Sequence, residues 1–437
     1  MIRFALMAIL AFSAVAQAQA PGRDDSKHIV TFRQGTPQGE RANAVQRAGG
    51  KLRFNYSTVD AVAITAATPN VLAALGREPS VLNIVPDREV HAIQGATNGL
   101  RVDRKGSTSG TTSTGQVIPQ GVKRVGVPTS ASNGKDVGVA IVDTGIDLAN
   151  ADLTPSSLRF NIYGTSCQDD NGHGTHVSGI VAALDNSIDV VGVAPAATLY
   201  CVKVLDSTGS GFDSDIIAGL EFVLAHAAIA TPPIRVVNMS LGRDGSVNDN
   251  PTLRTAVRNL YDAGITVVVA AGNSASKEVK DMVPASYPEV LAVAATTAAD
   301  GTNACRRFSG VIKADTASYF TTDGAYQVLE STVGRQGVTI SGPGEDQENI
   351  TKTCFISSVG ILSTRLGGGT IRLSGTSMAS PHVAGIVARM IQNNTLGVEN
   401  IRATLRSTAQ GLSSAPLDSP TSSYSFDGER EGIAKAP

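Results

Sequence analysis

The chain has no tryptophan, and aromatic residues make up only 4% of its 437 residues. Its formal net charge of −2 comes without a long basic or acidic run. A nucleic-acid partner would need a concentrated positive face, so we expect none. No segment has the ~20 apolar residues of a membrane helix, so we expect no membrane partner either. The 45 glycines, by contrast, suit an α/β protein with many tight turns.

A short apolar stretch near the N-terminus is typical of an export signal. Arg3 precedes the apolar residues Phe4–Val15, and Ala16–Ala20 then offers A-x-A cleavage sites. The alternative, a buried N-terminal helix, is disfavoured because a Pro-Gly pair follows the small residues. We therefore predict a signal peptide over residues 1–20 and secretion of the protein to the extracellular space.

The sequence contains only four cysteines. An even number in an exported chain favours two disulfides, and the sequence alone permits three pairings. We expect neighbours to pair, Cys167 with Cys201 and Cys305 with Cys354, and free buried thiols are the alternative. No C-x-x-C pair is present, which disfavours a zinc site.

Residues 21–92 have the pattern of a separate small α+β unit. Strand-like and helix-like segments follow the order β-α-β-β-α-β, the ferredoxin-like arrangement, and Val81–Val90 is the predicted final strand. Thr68 and Pro69 predict the start of the second helix, since threonine is a good N-cap and proline suits the first helical position. Residues 93–117 are polar and low in complexity, which indicates a flexible linker open to proteases.

Residues 118–437 alternate apolar strands with helix-length segments. The predicted strands are Val137–Val142, Leu199–Leu205, Val236–Met239, Ile265–Ala271 and Val290–Ala294, and two predicted helices are Ser214–Ala230 and Asn250–Gly264. Strands that are apolar throughout indicate a parallel sheet covered by helices on both faces. Ligands bind such sheets at the carboxyl ends of the strands, so polar residues at those positions are candidates for a functional site.

Polar residues lie where such a sheet would hold an active site. Asp143 directly follows the first strand, His173 is flanked by glycines, and Ser377 lies in a run of small residues that begins a helix. A hydroxyl nucleophile needs a base, and the base needs an orienting carboxylate. The chain order Asp, His, Ser is one of three known orders for such a triad. Asn273, at the end of another strand, would donate to the oxyanion formed in acyl transfer.

Each of these residues has a plainer interpretation on its own. An aspartate that starts a turn and a serine that caps a helix are both common. A metal site formed by His173, His176 and His382 is a further alternative, but the H-E-x-x-H signature of zinc proteases is absent, and no metal ligand is predicted. Pro381 is expected near the first turn of the helix that begins at Ser377, where a missing N–H costs little.

Taken together, the motifs resemble those of the subtilisin-like serine proteases, in particular the proteinase K-like branch. The matching segments are Asp143–Asp147, Asn171–His176, Gly375–Gly385 and Ala270–Asn273. The resemblance implies an α/β fold for residues 118–437, with a subtilisin-like parallel sheet and helices on both faces. It also implies that residues 21–92 form an inhibitory propeptide that assists folding.

The resemblance further implies a secreted serine endopeptidase that forms an acyl-enzyme and is made as a self-cleaving zymogen. Ser377 would be the nucleophile, His173 the general base and then acid, and Asp143 the carboxylate that orients the histidine. Asn273 would stabilise the oxyanion. The implied substrate-binding residues are Gly209, Ser210, Gly211, Ser240, Leu241, Gly242, Ala270, Ala271 and Gly272.

The pocket segments carry no acidic residue, so we expect broad cleavage after apolar or aromatic residues. The chain departs from the family pattern at Asn150–Leu153, where the family has His-Pro-Asp-Leu, and we expect no catalytic effect from this loop. A longer stretch between Gly310 and Ile361 is expected to form a hairpin on the rim of the cleft, held by Cys305 and Cys354. The flexible linker predicts a maturation cut between about residues 91 and 117.

We expect protein and peptide substrates, the propeptide as an intramolecular inhibitor, and a monomer. No cofactor is required for this catalysis. Family members often bind structural calcium, but no compact acidic loop here assigns its ligands. The main alternative is a catalytically silent relative that acts as a binding or inhibitory module.

Overall fold

The computed structural model describes residues 26–65, 67–93, 115–328, 335–419 and 427–437. The predicted signal peptide and residues 94–114 of the predicted linker lie outside these ranges. Within the ranges, no helix combines the length and the apolar character needed to cross a membrane.

The N-terminal unit has the predicted β-α-β-β-α-β order. Its elements are β1 (His28–Phe32), α1 (Gln38–Arg47), β2 (Lys51–Asn55), β3 (Ala61–Thr65), α2 (Pro69–Leu75) and β4 (Val81–Pro86). The strands form an antiparallel sheet in the order β2-β3-β1-β4. Thr68 caps α2 as predicted, because its hydroxyl accepts a hydrogen bond from the Val71 N–H at 3.3 Å. Val45 and Leu75 of the helices pack with Val30 and Ile64 of the sheet in a small core.

The predicted strand Val81–Val90 is in fact two strands. β4 ends at Pro86, and the chain leaves the small sheet to form β5 (Glu89–Ala92), which pairs with strands of the larger unit. Asp87 lies at the bend, where its carboxylate accepts hydrogen bonds from the backbone N–H of Ser214 at 2.9 Å and from its hydroxyl at 2.6 Å. The redirection thus depends on a contact more than a hundred residues away in sequence.

The larger unit continues the chain with a short helix, a parallel sheet with helices between its strands, and a long helix near its end. In chain order its elements are α3 (Gln120–Arg124), β6 (Gly138–Asp143), β7 (Phe160–Asn161), α4 (His173–Ala182), β8 (Thr198–Lys203), β9 (Ser210–Phe212), α5 (Asp213–His226), β10 (Ile234–Met239), β11 (Leu241–Asp244), α6 (Pro251–Asp262), β12 (Thr266–Ala270), β13 (Met282–Val283), β14 (Leu291–Thr297), β15 (Gln327–Val328), β16 (Arg335–Gln336), β17 (Val338–Glu345), β18 (Gln347–Ile350), β19 (Ile356–Val359), β20 (Ile361–Thr364), β21 (Thr370–Leu373), α7 (Thr376–Gln392) and α8 (Val398–Ser407).

The central sheet confirms the predicted α/β class. Seven strands lie in the order β17-β14-β12-β10-β6-β8-β7, and every pairing between them is parallel. All five predicted strands belong to it. Alternate residues of β6 face opposite layers: Val139 and Ile141 pack with α4 and α7, whereas Ala140 and Val142 pack with α5 and α6. Burial on both faces explains why these strands are apolar throughout.

The prediction that the stretch between Gly310 and Ile361 is a rim hairpin is only partly right. β17 lies within this stretch, yet it is a fully buried strand at the edge of the central sheet. Because β17 contains glycines, a serine and Pro343, its sequence does not form an apolar run. Proline is tolerated here because β17 is an edge strand. The hairpin itself is formed by β18 and β19, which pair antiparallel.

The structure contains both predicted disulfides. Cys167 and Cys201 are joined, and Cys305 is joined to Cys354, which lies in the turn between β18 and β19. The second disulfide therefore attaches the tip of the hairpin to the preceding loop, as the prediction for this region required.

Candidate active site

Asp143, His173 and Ser377 converge at the carboxyl edge of the central sheet. Asp143 is the last residue of β6, His173 is the first of α4, and Ser377 lies in the first turn of α7. The Nδ1 atom of His173 lies 2.8 Å from the Oδ1 atom of Asp143. All three side chains are buried. The structure thus joins His173 directly to Asp143. The Ser377 Oγ lies at the same edge of the sheet, where it donates to the carbonyl oxygens of Ile93 at 2.5 Å and Ser240 at 3.0 Å.

The buried carboxylate of Asp143 sets the electrostatics of His173. Burial, the largest single effect, would lower the pKa of His173, but the charge of Asp143, its hydrogen bond to the ring and the charge of Asp169 together raise this pKa above its usual value. The hydrogen bond to Asp143 directs the Nδ1 proton toward the carboxylate. The other ring nitrogen, Nε2, has no hydrogen-bond partner among the described residues and is available as a base.

Asp169, which the sequence analysis missed, holds the loop that presents His173. Its carboxylate accepts hydrogen bonds from the Thr144 hydroxyl, the Asn171 and Gly172 N–H groups, and the Thr175 N–H and hydroxyl. These bonds fix both the turn before α4 and its first turn. An acidic residue shortly before a histidine-led helix is the signal that could have identified it.

The glycine that follows His173 is required for this close approach. A Cβ atom at Gly174 would lie 2.1 Å from the carbonyl oxygen of Gly145 and 3.2 Å from the Oδ1 atom of Asp143. Any larger residue would push α4 away from β6 and lengthen the contact between His173 and Asp143.

The carbonyl oxygen of Ile93 lies between the nucleophile candidate and the predicted oxyanion donor. It is 2.5 Å from the Ser377 Oγ and 3.3 Å from the Asn273 Nδ2. The Asn273 Oδ1 accepts hydrogen bonds from the Thr376 N–H and hydroxyl, both at 2.9 Å. Those two bonds orient the amide so that its NH₂ group faces Ile93.

Residues 89–93 occupy the cleft as an extended strand. β5 pairs antiparallel with β9 on one side and with β11 on the other. The Ala92 N–H donates to the Gly209 carbonyl at 2.8 Å, and the Ile93 N–H donates to the Ser240 carbonyl at 3.1 Å. Two of the predicted substrate-binding segments, residues 209–211 and 240–242, therefore contact an extended peptide backbone in the manner of strand addition.

The Ile93 side chain packs against Gly242. A Cβ atom at this glycine would lie 3.1 Å from the Ile93 Cδ1 and leave little room for a side chain. The third predicted segment, Ala270, Ala271 and Gly272, lies at the end of β12, where Gly272 packs against Met282 and Thr322. Its role as a pocket wall stays a prediction.

The other two histidines of the metal-site alternative have structural partners. The His176 Nε2 lies 3.0 Å from the Ile361 carbonyl, and the His382 Nδ1 lies 2.7 Å from the Met378 carbonyl. Burial lowers the pKa of His176 to about 3 and that of His382 to about 4, so both are neutral. In the described part of the chain, no group of three or more His, Cys, Asp or Glu side chains is arranged to hold a metal ion.

Comparisons with known proteins agree with this geometry. The family model of the subtilase family matches residues 134–427. Subtilisin NAT from Bacillus subtilis subsp. natto is 33% identical over 429 residues, covering 94% of this chain and 92% of the relative. M-protease from Shouchella clausii (strain KSM-K16) is 34% identical over 372 residues, covering 84% of this chain and 78% of the relative.

A solved structure shows the same fold. The crystal structure of fervidolysin from Fervidobacterium pennivorans, described as a keratinolytic enzyme related to subtilisin, aligns with a TM-score of 0.68 at 21% identity. The alignment covers 96% of this chain and 61% of fervidolysin. The proteinase K-like branch stays a prediction. The chain itself belongs to the subtilase family and is a subtilisin-like serine endopeptidase.

Proposed function

We propose that this endopeptidase works through a triad of Asp143, His173 and Ser377, and that it is made as a precursor that cuts itself after Ile93. The observation that carries the proposal is the position of the Ile93 carbonyl, within 2.5 Å of the Ser377 Oγ and 3.3 Å of the Asn273 Nδ2. A peptide carbonyl between a buried hydroxyl and an amide donor has the geometry of a substrate before acylation.

The proposed reaction follows from the partners of each group. The Ser377 Oγ attacks the substrate carbonyl carbon while the His173 Nε2 takes its proton, and the Asp143 carboxylate stabilises the imidazolium that forms. The Asn273 Nδ2 donates to the developing oxyanion. His173 then returns the proton to the leaving amine, the C–N bond breaks, and an acyl-enzyme on Ser377 remains for water to hydrolyse.

We propose that residues 21–92 act as the intramolecular inhibitor. The N-terminal unit docks on α5, where the Arg53 guanidinium lies 2.6 Å from the Asp215 carboxylate and the Thr58 N–H donates to Glu221 at 2.6 Å. The Asp87 carboxylate binds the N-terminus of the same helix, which favours negative charge. After a cut, this docking would keep β5 in the cleft as a bound product.

The proposed specificity is for apolar residues. The side chain before the cut is that of Ile93, which rests on Gly242, and Val90 is buried against the core of the larger unit. No charged group of residues 240–242 or 270–272 could pair with a basic substrate side chain. We also propose export through residues 1–20 and a monomeric mature enzyme acting on protein and peptide substrates.

During maturation the chain is expected to be cut between Ile93 and Gln94. This site lies within the range of about residues 91 to 117 predicted from the linker. Early products of the purified wild-type precursor should begin at Gln94, and N-terminal sequencing with intact mass over time checks this. Ser377→Ala precursor should stay whole. Ile93→Asp should slow the cut because the apolar contact with Gly242 is lost, whereas Leu82→Asp, at an exposed position of the same unit, should not.

A first cut elsewhere, with no product beginning at Gln94 at any time, would contradict this assignment. Processing of the Ser377→Ala precursor at the wild-type rate would contradict the proposed nucleophile itself.

Asn273→Ala should lower kcat by about 10²–10³ with little change in KM, the magnitude that this donor has in subtilisin itself. The reason is that the amide gains most of its interaction energy only when the oxyanion forms. The variant is to be matured in trans by a trace of removable wild-type enzyme and assayed on a peptide. Asn259→Ala is the matched control, since the Asn259 side-chain amide donates to the N-terminal unit, at the Thr58 carbonyl. Equal kcat for the two variants would exclude the oxyanion role.

A further inference from the structure

The helix that carries the nucleophile lacks one of its own hydrogen bonds. Pro381 lies inside α7, not near its first turn as predicted. In an α-helix the N–H of a residue donates to the carbonyl four residues earlier, which for position 381 is the carbonyl of Ser377. Proline has no N–H, so the buried carbonyl of the nucleophile has no partner within its helix.

Ser240 supplies the missing donor. Its Oγ lies 2.8 Å from the Ser377 carbonyl oxygen and donates to it. The Asn238 Nδ2 donates to the same Oγ at 2.9 Å, which leaves the hydroxyl proton of Ser240 for Ser377. The Asn238 Oδ1 in turn accepts from the Ser380 Oγ at 2.7 Å. These buried groups join the end of β10 to Ser377 and Ser380, which precede Pro381 in α7.

We propose that Ser240 is a positioning residue for the nucleophile, an inference that rests on the proposed role of Ser377. Its hydroxyl replaces the absent N–H of Pro381 and holds the first turn of α7. Its backbone carbonyl accepts the Ile93 N–H at 3.1 Å. One residue therefore fixes both the nucleophile and the substrate backbone. A normal helical bond from residue 381 would fix the helix alone.

Ser240→Ala is expected to lower kcat by about tenfold to a hundredfold, because a small displacement of a reacting atom has effects of this size. KM should change little, since the variant keeps the backbone carbonyl that binds substrate. Ser286→Ala is the matched control: this buried hydroxyl has no hydrogen-bond partner among the described residues. Thermal unfolding of both variants checks that any loss of kcat is not a loss of folded enzyme.

The discriminating variant is Pro381→Ala, which restores an N–H opposite the Ser377 carbonyl. The double variant Ser240→Ala/Pro381→Ala should turn over as fast as Pro381→Ala alone, because the helix now supplies the donor. A purely structural role of Ser240 would instead give additive losses. Additive losses, or an unchanged kcat in Ser240→Ala, would overturn the inference.

Ser377→Ala, assayed in the same series, distinguishes the nucleophile role of Ser377 from the positioning role of Ser240. If it is inert and the double variant is not rescued, only the positioning role of Ser240 fails. If it retains turnover, the nucleophile assignment fails and the positioning role fails with it.

Discussion

Replacing Ser377 with alanine is expected to lower peptide turnover by about 10⁶, the loss that subtilisin itself shows without its nucleophile. The size of the effect follows from the number of steps that depend on one atom. Without the Ser377 Oγ there is no acyl-enzyme, and His173 has no proton to accept. The small residual rate should come from substrate binding and the oxyanion donor alone.

The measurement is the hydrolysis rate of a peptide with an apolar residue before the scissile bond, together with labelling by a serine-reactive phosphonate. Adding His173→Ala to the Ser377→Ala variant should cost almost nothing more, since the two residues act as a unit. Ser286→Ala should keep both turnover and labelling. Equal hydrolysis by the wild type and Ser377→Ala would exclude this nucleophile.

The same experiment tests the alternative of a silent module. In that case the wild type would neither hydrolyse peptide nor lose its N-terminal unit, which would stay docked on α5 with residues 89–93 in the cleft. The loss of residues up to Ile93 from the wild type alone would exclude this alternative.

The parts of the fold that the sequence predicts are those that local patterns determine. Strands buried on both faces must be apolar, so five strands of the central sheet stand out as short hydrophobic runs. Asp143 is identifiable because it directly follows one of them. Thr68 caps α2 as predicted from its local chemistry. The predicted helix beginning at Asn250 is α6, and the Asn250 side chain caps it in the same way.

The parts that the sequence does not predict depend on distant contacts. β17 belongs to the central sheet although its glycines, serine and proline do not form an apolar run. β5 leaves its own sheet because Asp87 bonds to Ser214 of α5. The hydroxyl of Ser240 gains a role only because Pro381 has no N–H to donate to the Ser377 carbonyl, and the fold brings Ser240 to that carbonyl. The residues in each of these contacts lie far apart in the sequence, so no local sequence pattern reveals them.

Asp143→Asn is expected to lower kcat by about 10⁴, as the equivalent change does in a serine protease of another fold. An amide has nearly the shape of the carboxylate, so the loss would come from electrostatics and not from packing. The amide introduced at position 143 could donate to the His173 Nδ1 and thereby move the ring proton to Nε2. Nε2 would then be unable to take the proton of Ser377.

The variant should also change the pH dependence, with a sign that follows from the pKa of His173. In the wild type, the Asp143 charge raises this pKa, and activity is lost as pH falls through it because protonated His173 cannot act as a base. In Asp143→Asn the negative charge at position 143 is lost while His173 stays buried, so the pKa of His173 falls. The acidic limb of kcat against pH should therefore move to lower pH while the plateau drops.

Asp147→Asn is the matched control for this change. Asp147 lies in the same motif and is buried, but its carboxylate binds the Gly367 N–H at 2.9 Å and the loop residues Ala149 and Gln168. This control should leave the acidic limb in place, since none of these Asp147 contacts reaches the imidazole of His173. If the acidic limb shifted in both variants, the loss of any nearby negative charge would be enough to change the pKa of His173. A shift confined to Asp143→Asn would show that Asp143, whose carboxylate lies 2.8 Å from the His173 Nδ1, raises the pKa of His173 and that Asp147 does not.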